Sequence, residues 1–270
     1  MRNDVFRPLP VSLARTLTLT AGVTALVLAP GQTLAGPNAG GTLIVSLCEG
    51  ICYTDTDQSD YCGVSSITRC EDGIVHAEQD ETFLWSIYAA FPDGSAPRLA
   101  GVSLGVDYDS ESTIVLGWDM CGDFQLTDQD WPAPGSGTAV TFIDAREDHL
   151  TELYWFAGYN YSFYAQDTSF DLIPHPSQGA NFASDDVPSI LDPVAELGSM
   201  GWGAVDGYLP CPTPLATGAC CIGGDCIVLS EPECALQNGT YLADGVPCDP
   251  NPCVVPVVSK SWGQVKGTYR

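Results

Sequence analysis

Residues 99–108 read Leu-Ala-Gly-Val-Ser-Leu-Gly-Val-Asp-Tyr. Val102, Leu104, Val106 and Tyr108 lie two apart, so an extended chain sets all four on one face. A strand with one apolar face needs a partner sheet to bury it, which makes a layered β fold the first expectation. Working outward, similar runs recur at 42–47, 82–91, 113–118, 124–126, 138–143, 150–164, 170–173 and 202–205. Clusters of Gly, Pro, Asp and Ser separate them, and the longest run carries a bend signal at Gly158. No capped, helix-length pattern with a 3.6-residue period intervenes, although 189–197 is compatible with one short helix. The expected fold is all-β: an antiparallel β-sandwich followed by a small disulfide-rich module.

The module is expected over 213–253, where six of the chain's twelve cysteines fall: Cys220, Cys221, Cys226, Cys234, Cys248 and Cys253. A unit this small buries too little apolar surface to hold itself together and needs covalent staples. Six cysteines allow 15 pairings, and adjacent Cys220 and Cys221 are expected to take different partners. Ser230 with Glu233 three residues on forms a capping-box pattern, so 227–237 is expected to hold a short helix that Asn238-Gly239 ends. Upstream, Cys62–Cys70, Cys121–Cys211 and Cys48–Cys52 are the expected pairs.

The N-terminus reads as a cleaved export signal over 1–35. Arg2, Arg7 and Arg15 are basic, 17–29 is apolar, and Thr33-Leu34-Ala35 is a small-x-small cleavage pattern. A spanning helix needs roughly 20 apolar residues, and Pro30-Gly31 ends the run earlier. An even cysteine set outside the cytosol reads as disulfides, which places the protein outside the cell or on its surface.

Charge narrows the partners. From Gly36 to Ser259 there are 33 acidic residues against Arg69, Arg98 and Arg146, a net 3 − 33 = −30. Nucleic-acid binding needs a basic footprint and is excluded on this count. An anionic membrane would repel the same surface. At 45% hydrophobic and 10% aromatic residues the composition is that of a folded chain. The sign reverses in the tail, 254–270, which has no acid and carries Lys260, Lys266 and Arg270. Trp262, Lys266, Tyr269 and Arg270 are the expected contact residues of a sorting or anchoring tail.

Segments of this sequence resemble uncharacterised modular secreted proteins of environmental bacteria. The likeness rests on Asp60-Tyr61-Cys62-Gly63, Cys121-Gly122-Asp123-Phe124, 131–141, 154–159, His175-Pro176-Ser177-Gln178-Gly179, the Gly-Ala-Cys-Cys start of the cysteine-rich unit and the Trp262-Gly263-x-x-Lys266-x-x-Tyr269-Arg270 tail. It implies an architecture and no activity. Leu104-Gly105-Val106-Asp107-Tyr108-Asp109 followed by Ile114-Val115-Leu116 is similar to immunoglobulin-like and cohesin-type sandwiches and to carbohydrate-binding ones, which is a fold analogy alone.

Candidate chemistry is sparse. Asp107, Asp109 and Glu111, and Asp128 with Asp130, cluster, but a glycosidase needs a set separation that spacing in sequence does not give. His76, His149 and His175 fall outside any H-E-x-x-H pattern, and no G-x-S-x-G elbow is present. Asp55, Asp57 and Asp60 make the one calcium candidate, in a loop of carboxylates and hydroxyls that is not an EF-hand. In the run 154–164, alternation sets Trp155, Tyr159, Tyr161 and Phe163 against Tyr154, Phe156 and Tyr164, one face of which must be core. Asn160-Tyr161-Ser162 and Asn238-Gly239-Thr240 are glycosylation sequons that matter only in a eukaryotic secretory route. The sequence reading is a secreted structural or adhesive protein without catalysis, partnered by a cell-surface component. A carbohydrate-binding module and a secreted hydrolase are the rivals.

Overall fold

The computed structural model describes residues 36–50, 53, 54, 56, 60–65, 67–164 and 167–253. The expected leader and tail therefore lie outside the described residues. In chain order the strands are β1 (Thr42–Leu47), β2 (His76–Ala77), β3 (Phe83–Ala90), β4 (Leu99–Tyr108), β5 (Thr113–Met120), β6 (Phe124–Thr127), β7 (Ser136–Arg146), β8 (Leu150–Asn160), β9 (Thr168–Ile173), β10 (Asn181–Ser184), β11 (Leu191–Pro193) and β12 (Ser199–Trp202). A three-residue 3-10 turn, Cys70–Asp72, precedes β2. The downstream segment adds β13 (Thr217–Ile222), β14 (Asp225–Ser230), α1 (Glu231–Leu236) and β15 (Thr240–Asp244).

Two sheets face each other. The smaller has the order β1-β3-β8-β5, all antiparallel. In the larger, β4 is the hub. One edge of β4 pairs with β7, which carries β6. Its other edge pairs with β10 along Leu99–Ser103 and with β9 from Gly105 to Tyr108. Beyond these lie β11 next to β10, and β12 then β2 next to β9, with β2–β12 a parallel pair.

The alternation in β4 works as read. Val102, Leu104 and Val106 point into one buried cluster that takes residues from both sheets, with Trp85, Phe156, Phe170 and Trp202 at its centre. Trp85 stacks on Phe156 at 5.9 Å and meets Phe170 edge-on at 5.4 Å. Such ring pairs add roughly 0.5–1.5 kcal/mol beyond their buried area. The expected helix at 189–197 is not formed. Leu191–Pro193 instead pairs with β10, and buried Asp192 accepts the amides of Gly36 at 2.7 Å and Asn38 at 3.0 Å.

The capping box at Ser230 is present. The Ser230 hydroxyl accepts the Glu233 amide at 3.3 Å, and the Glu233 carboxylate accepts the Ser230 amide at 2.9 Å. The helix is short, six residues, and lies against a three-stranded sheet of order β14-β13-β15. Cys220–Cys234, Cys221–Cys253 and Cys226–Cys248 close this part, so the two adjacent cysteines do diverge. Two hydrogen bonds reach it from the β3–β4 turn: the Leu215 amide donates to the Asp93 carbonyl at 2.9 Å, and the Ser230 hydroxyl donates to the Gly94 carbonyl.

The upstream pairing differs from the expectation. The bonds are Cys62–Cys121 and Cys70–Cys211. The described residues between 53 and 75 run over the outer face of the smaller sheet and form two separate apolar patches there. Tyr53, Tyr61 and Cys62 pack with Leu84 and Trp155, whereas Ile67 and Cys70 pack with Ile44 and Tyr88. Cys62 and Cys70 thus belong to different patches, and each is bonded to the residue beside its own: Cys121 just past β5, or Cys211. Cys48 is a buried free thiol with its sulfur 3.5 Å from the Ser86 hydroxyl, and Cys52 lies outside the described residues. Burial raises the Cys48 thiol pKa, which makes it a poor nucleophile.

Candidate interaction surface

Among the described residues nothing covers the outer face of the larger sheet. Pairing registers align two rows of side chains across five strands. One row is Leu126–Ala139–Ser103–Asn181–Pro193, and the next is Phe124–Thr141–Gly101–Ala183–Leu191. The middle of each row is small and the ends are large, so the face is concave. It forms a trough of about 360 Å³. Leu191 (64% exposed) lines it, and Phe124 (56%), Leu126 (61%) and Ile143 (84%) stand exposed on β6 and β7, all apolar and in water. Exposed apolar groups so aligned mark interaction sites more often than scattered ones do.

The floor is chemically quiet. Ser103 Oγ donates to the Gly179 carbonyl at 2.9 Å and accepts the Asn181 amide at 3.3 Å, so its hydrogen-bonding capacity is used within the sheet. A methyl group built at Gly101 would sit 3.2 Å from Thr141 Cγ2 and 3.3 Å from the Val140 carbonyl. Glycine there keeps the floor low. Each of these residues is unremarkable in sequence. The signal for the trough exists only once register is known.

Other expected sites fare differently. Asp60 is exposed and its Oδ1 accepts the Cys62 amide at 2.9 Å, while Asp55 and Asp57 lie outside the described residues. Among the described residues no three His, Cys, Asp or Glu side chains converge as metal ligands. Glu147, Asp148 and His149 form an exposed turn between β7 and β8. The run 154–164 divides as alternation requires. Tyr154 and Phe156 enter the core, and Trp155 is covered on the other side by Tyr61, whose ring lies 4.9 Å away. Only Tyr161, Phe163 and Tyr164, beyond the end of β8, are exposed. Asn160 is fully buried, and its amide donates to the Thr113 and Thr168 hydroxyls at 3.1 and 2.7 Å.

One array deserves chemical scrutiny. Buried His175 has Nε2 4.0 Å from Asp128 Oδ1, and its Nδ1 lies 3.4 Å from the Ser177 hydroxyl. Serine, histidine and aspartate in line suggest a nucleophile. However, Nδ1 already accepts the Ser177 backbone N–H at 3.2 Å, so the ring proton of a neutral histidine sits on Nε2. The nitrogen facing the hydroxyl is occupied and Asp128 faces the other, the reverse of a working triad. The Gly179 amide, donating to the His175 carbonyl at 2.9 Å, completes what is a tight turn at the trough's rim.

No family model and no curated protein matches this chain. Among solved structures it is similar to the cohesin module of a family 33 glycoside hydrolase from Clostridium perfringens, at 10% identity and TM-score 0.39, over 60% of this chain and 95% of that one. It is also similar to the sixth cohesin of Acetivibrio cellulolyticus scaffoldin B, solved in complex with a Cel5 dockerin variant. That match has 7% identity and TM-score 0.40, over 61% of this chain and 99% of the other. At such scores the likeness carries no argument about activity or partners.

Proposed function

We propose that this protein is an extracellular, non-catalytic binding module whose trough receives an apolar ridge of a partner protein. The observation that carries the reading is the two-row concavity: small residues over β4, β7 and β10 with Leu191 at the edge, on a sheet whose β6 and β7 expose Phe124, Leu126 and Ile143. Five disulfides among the described residues support a setting outside the reducing cytosol. Among the described residues no helix is long and apolar enough to cross a membrane. The net charge of −30 between Gly36 and Ser259 favours a partner with basic residues flanking its apolar ridge. A sugar ligand suits the trough less well, because glycan recognition uses ring faces and no aromatic side chain among the described residues lines it.

Leu126→Asp with Leu191→Asp tests this. Both side chains are mostly exposed, so stability should stay within about 0.5 kcal/mol. Quantitative pull-downs from the native cell surface should lose the specific partners, while the control Val187→Asp, at a position 99% exposed, keeps them. Identical partner sets for all three proteins would overturn the reading. Export and anchoring belong to the same proposal. Mature protein beginning at Gly36 is expected, and a reporter carrying 254–270 that is freely shed would remove the anchoring role of Trp262, Lys266, Tyr269 and Arg270.

A further inference from the structure

The covered face holds an opening of its own. Between its two apolar patches lies a cleft of about 480 Å³, lined in part by Ser65, Ile67, Tyr88, His149, Leu150 and Glu152. Two polar atoms in it have no hydrogen-bond partner among the described residues. One is the hydroxyl of Tyr88, a side chain only 4% exposed, and the other is Glu152 Oε1. Glu152 Oε2 is engaged, accepting the Gly63 amide at 2.6 Å. The Ser65 and Ser86 hydroxyls lie near Tyr88, and Ser86 also lies near Glu152, but neither meets hydrogen-bond geometry with the two unpaired atoms. A buried polar atom left unmade costs about 1–3 kcal/mol. Two of them, buried on side chains that line one cleft, mark a place where a ligand's donors gain.

The chemistry of that ligand follows from the groups present. An ionised carboxylate only accepts, and a phenol can accept. No arginine or lysine pairs with Glu152 among the described residues, and burial disfavours its lone negative charge. Asp60, whose charge acts on it, and Asp148, which shares the cleft, are also negative. A cation therefore gains most. Calcium wants six to eight oxygens, more than one carboxylate oxygen and a phenol supply. A guanidinium binds best as a fork on both carboxylate oxygens, and here one is already taken by Gly63. An ammonium needs only point acceptors, and Ile67 and Leu150 line the cleft where an aliphatic stem would lie. We propose that this cleft binds a primary ammonium on a short aliphatic stem, the chemistry of a lysine side chain. This site is independent of the trough.

The test is a titration of the full chain with Nα-acetyl-lysine methylamide at fixed ionic strength, followed by NMR, with the norleucine analogue as the uncharged control. Saturable shifts are expected for the lysine probe and none for norleucine. Glu152→Gln should weaken binding about tenfold or more, and Tyr88→Phe several-fold, as for lost hydrogen bonds to a charged group. Equal binding of the norleucine analogue to the native protein overturns the proposal without reference to any variant. So does the absence of saturation, or unchanged affinity in Tyr88→Phe, which deletes one hydroxyl and keeps the ring.

Discussion

The two outer faces of the sandwich are made from the same kind of strand and end in opposite states. On the smaller sheet, the outward residues Ile44, Leu84, Tyr88 and Trp155 are large, and a segment held by Cys62–Cys121 and Cys70–Cys211 lies over them. On the larger sheet, the outward residues Gly101, Ser103, Ala139 and Ala183 are small and nothing in the described chain covers them. Large outward groups demand a lid for stability. Small ones leave a bare face affordable, and the large apolar residues at its margins then stand in water without a partner among the described residues. The first face is spent on holding the fold and the second is left for something else.

That contrast can be broken most forcefully at Trp155. Trp155→Ala removes the ring that Tyr53 and Tyr61 cover and should cost about 3–5 kcal/mol in a denaturant titration. A loss no larger than that of the Leu126→Asp and Leu191→Asp protein would erase the distinction between the faces. Next comes the staple. Cys70→Ser with Cys211→Ser should cost about 2–4 kcal/mol by the same measurement, because the bond closes a loop with a sequence separation of 141. If the lid stays ordered without it, proteolysis within 53–75 should not speed up; faster cleavage is the expected result.

The smallest effect concerns Glu152 under that lid. Burial raises its carboxyl above the ordinary 4.5, against the lowering pull of the Ser86 and Gly63 contacts. Between 4.5 and the raised value the folded chain holds a proton that the unfolded chain has released, so stability falls as pH rises through that window. Glu152→Gln cannot ionise and escapes this loss. Its urea midpoint should exceed that of the native protein at pH 7 and converge with it at pH 4. A gap of the same size at both values would mean that packing, not charge, sets the difference.

Much of the sandwich is legible in the chain because its inward residues follow the period of a strand. Thr42–Leu47 and Leu99–Tyr108 match their expected limits, and Ser230 with Glu233 announces the cap of α1. β10 and β11 are not legible. They are three or four residues long, and Asp192 and Pro193 speak against a strand until one sees the carboxylate holding the amides of Gly36 and Asn38. The pairing of Cys62, Cys70, Cys121 and Cys211 is not legible either, because proximity in sequence is not proximity in space: Cys62 lies eight positions from Cys70 but packs on Trp155, beside the end of β5. The trough depends on the register of five strands, and the Tyr88–Glu152 cleft on where a loop crosses a sheet. Neither leaves a local pattern.

The burial of Asn160 bears on how this protein can be made. Its carboxamide is wedged between Thr113 and Thr168 with no room for a sugar, yet the tripeptide it opens, Asn160-Tyr161-Ser162, is an acceptor for enzymes that act on nascent chains. In a yeast or mammalian production host, glycosylation and folding would compete for that nitrogen, and every molecule modified first would be barred from closing β8 against β5.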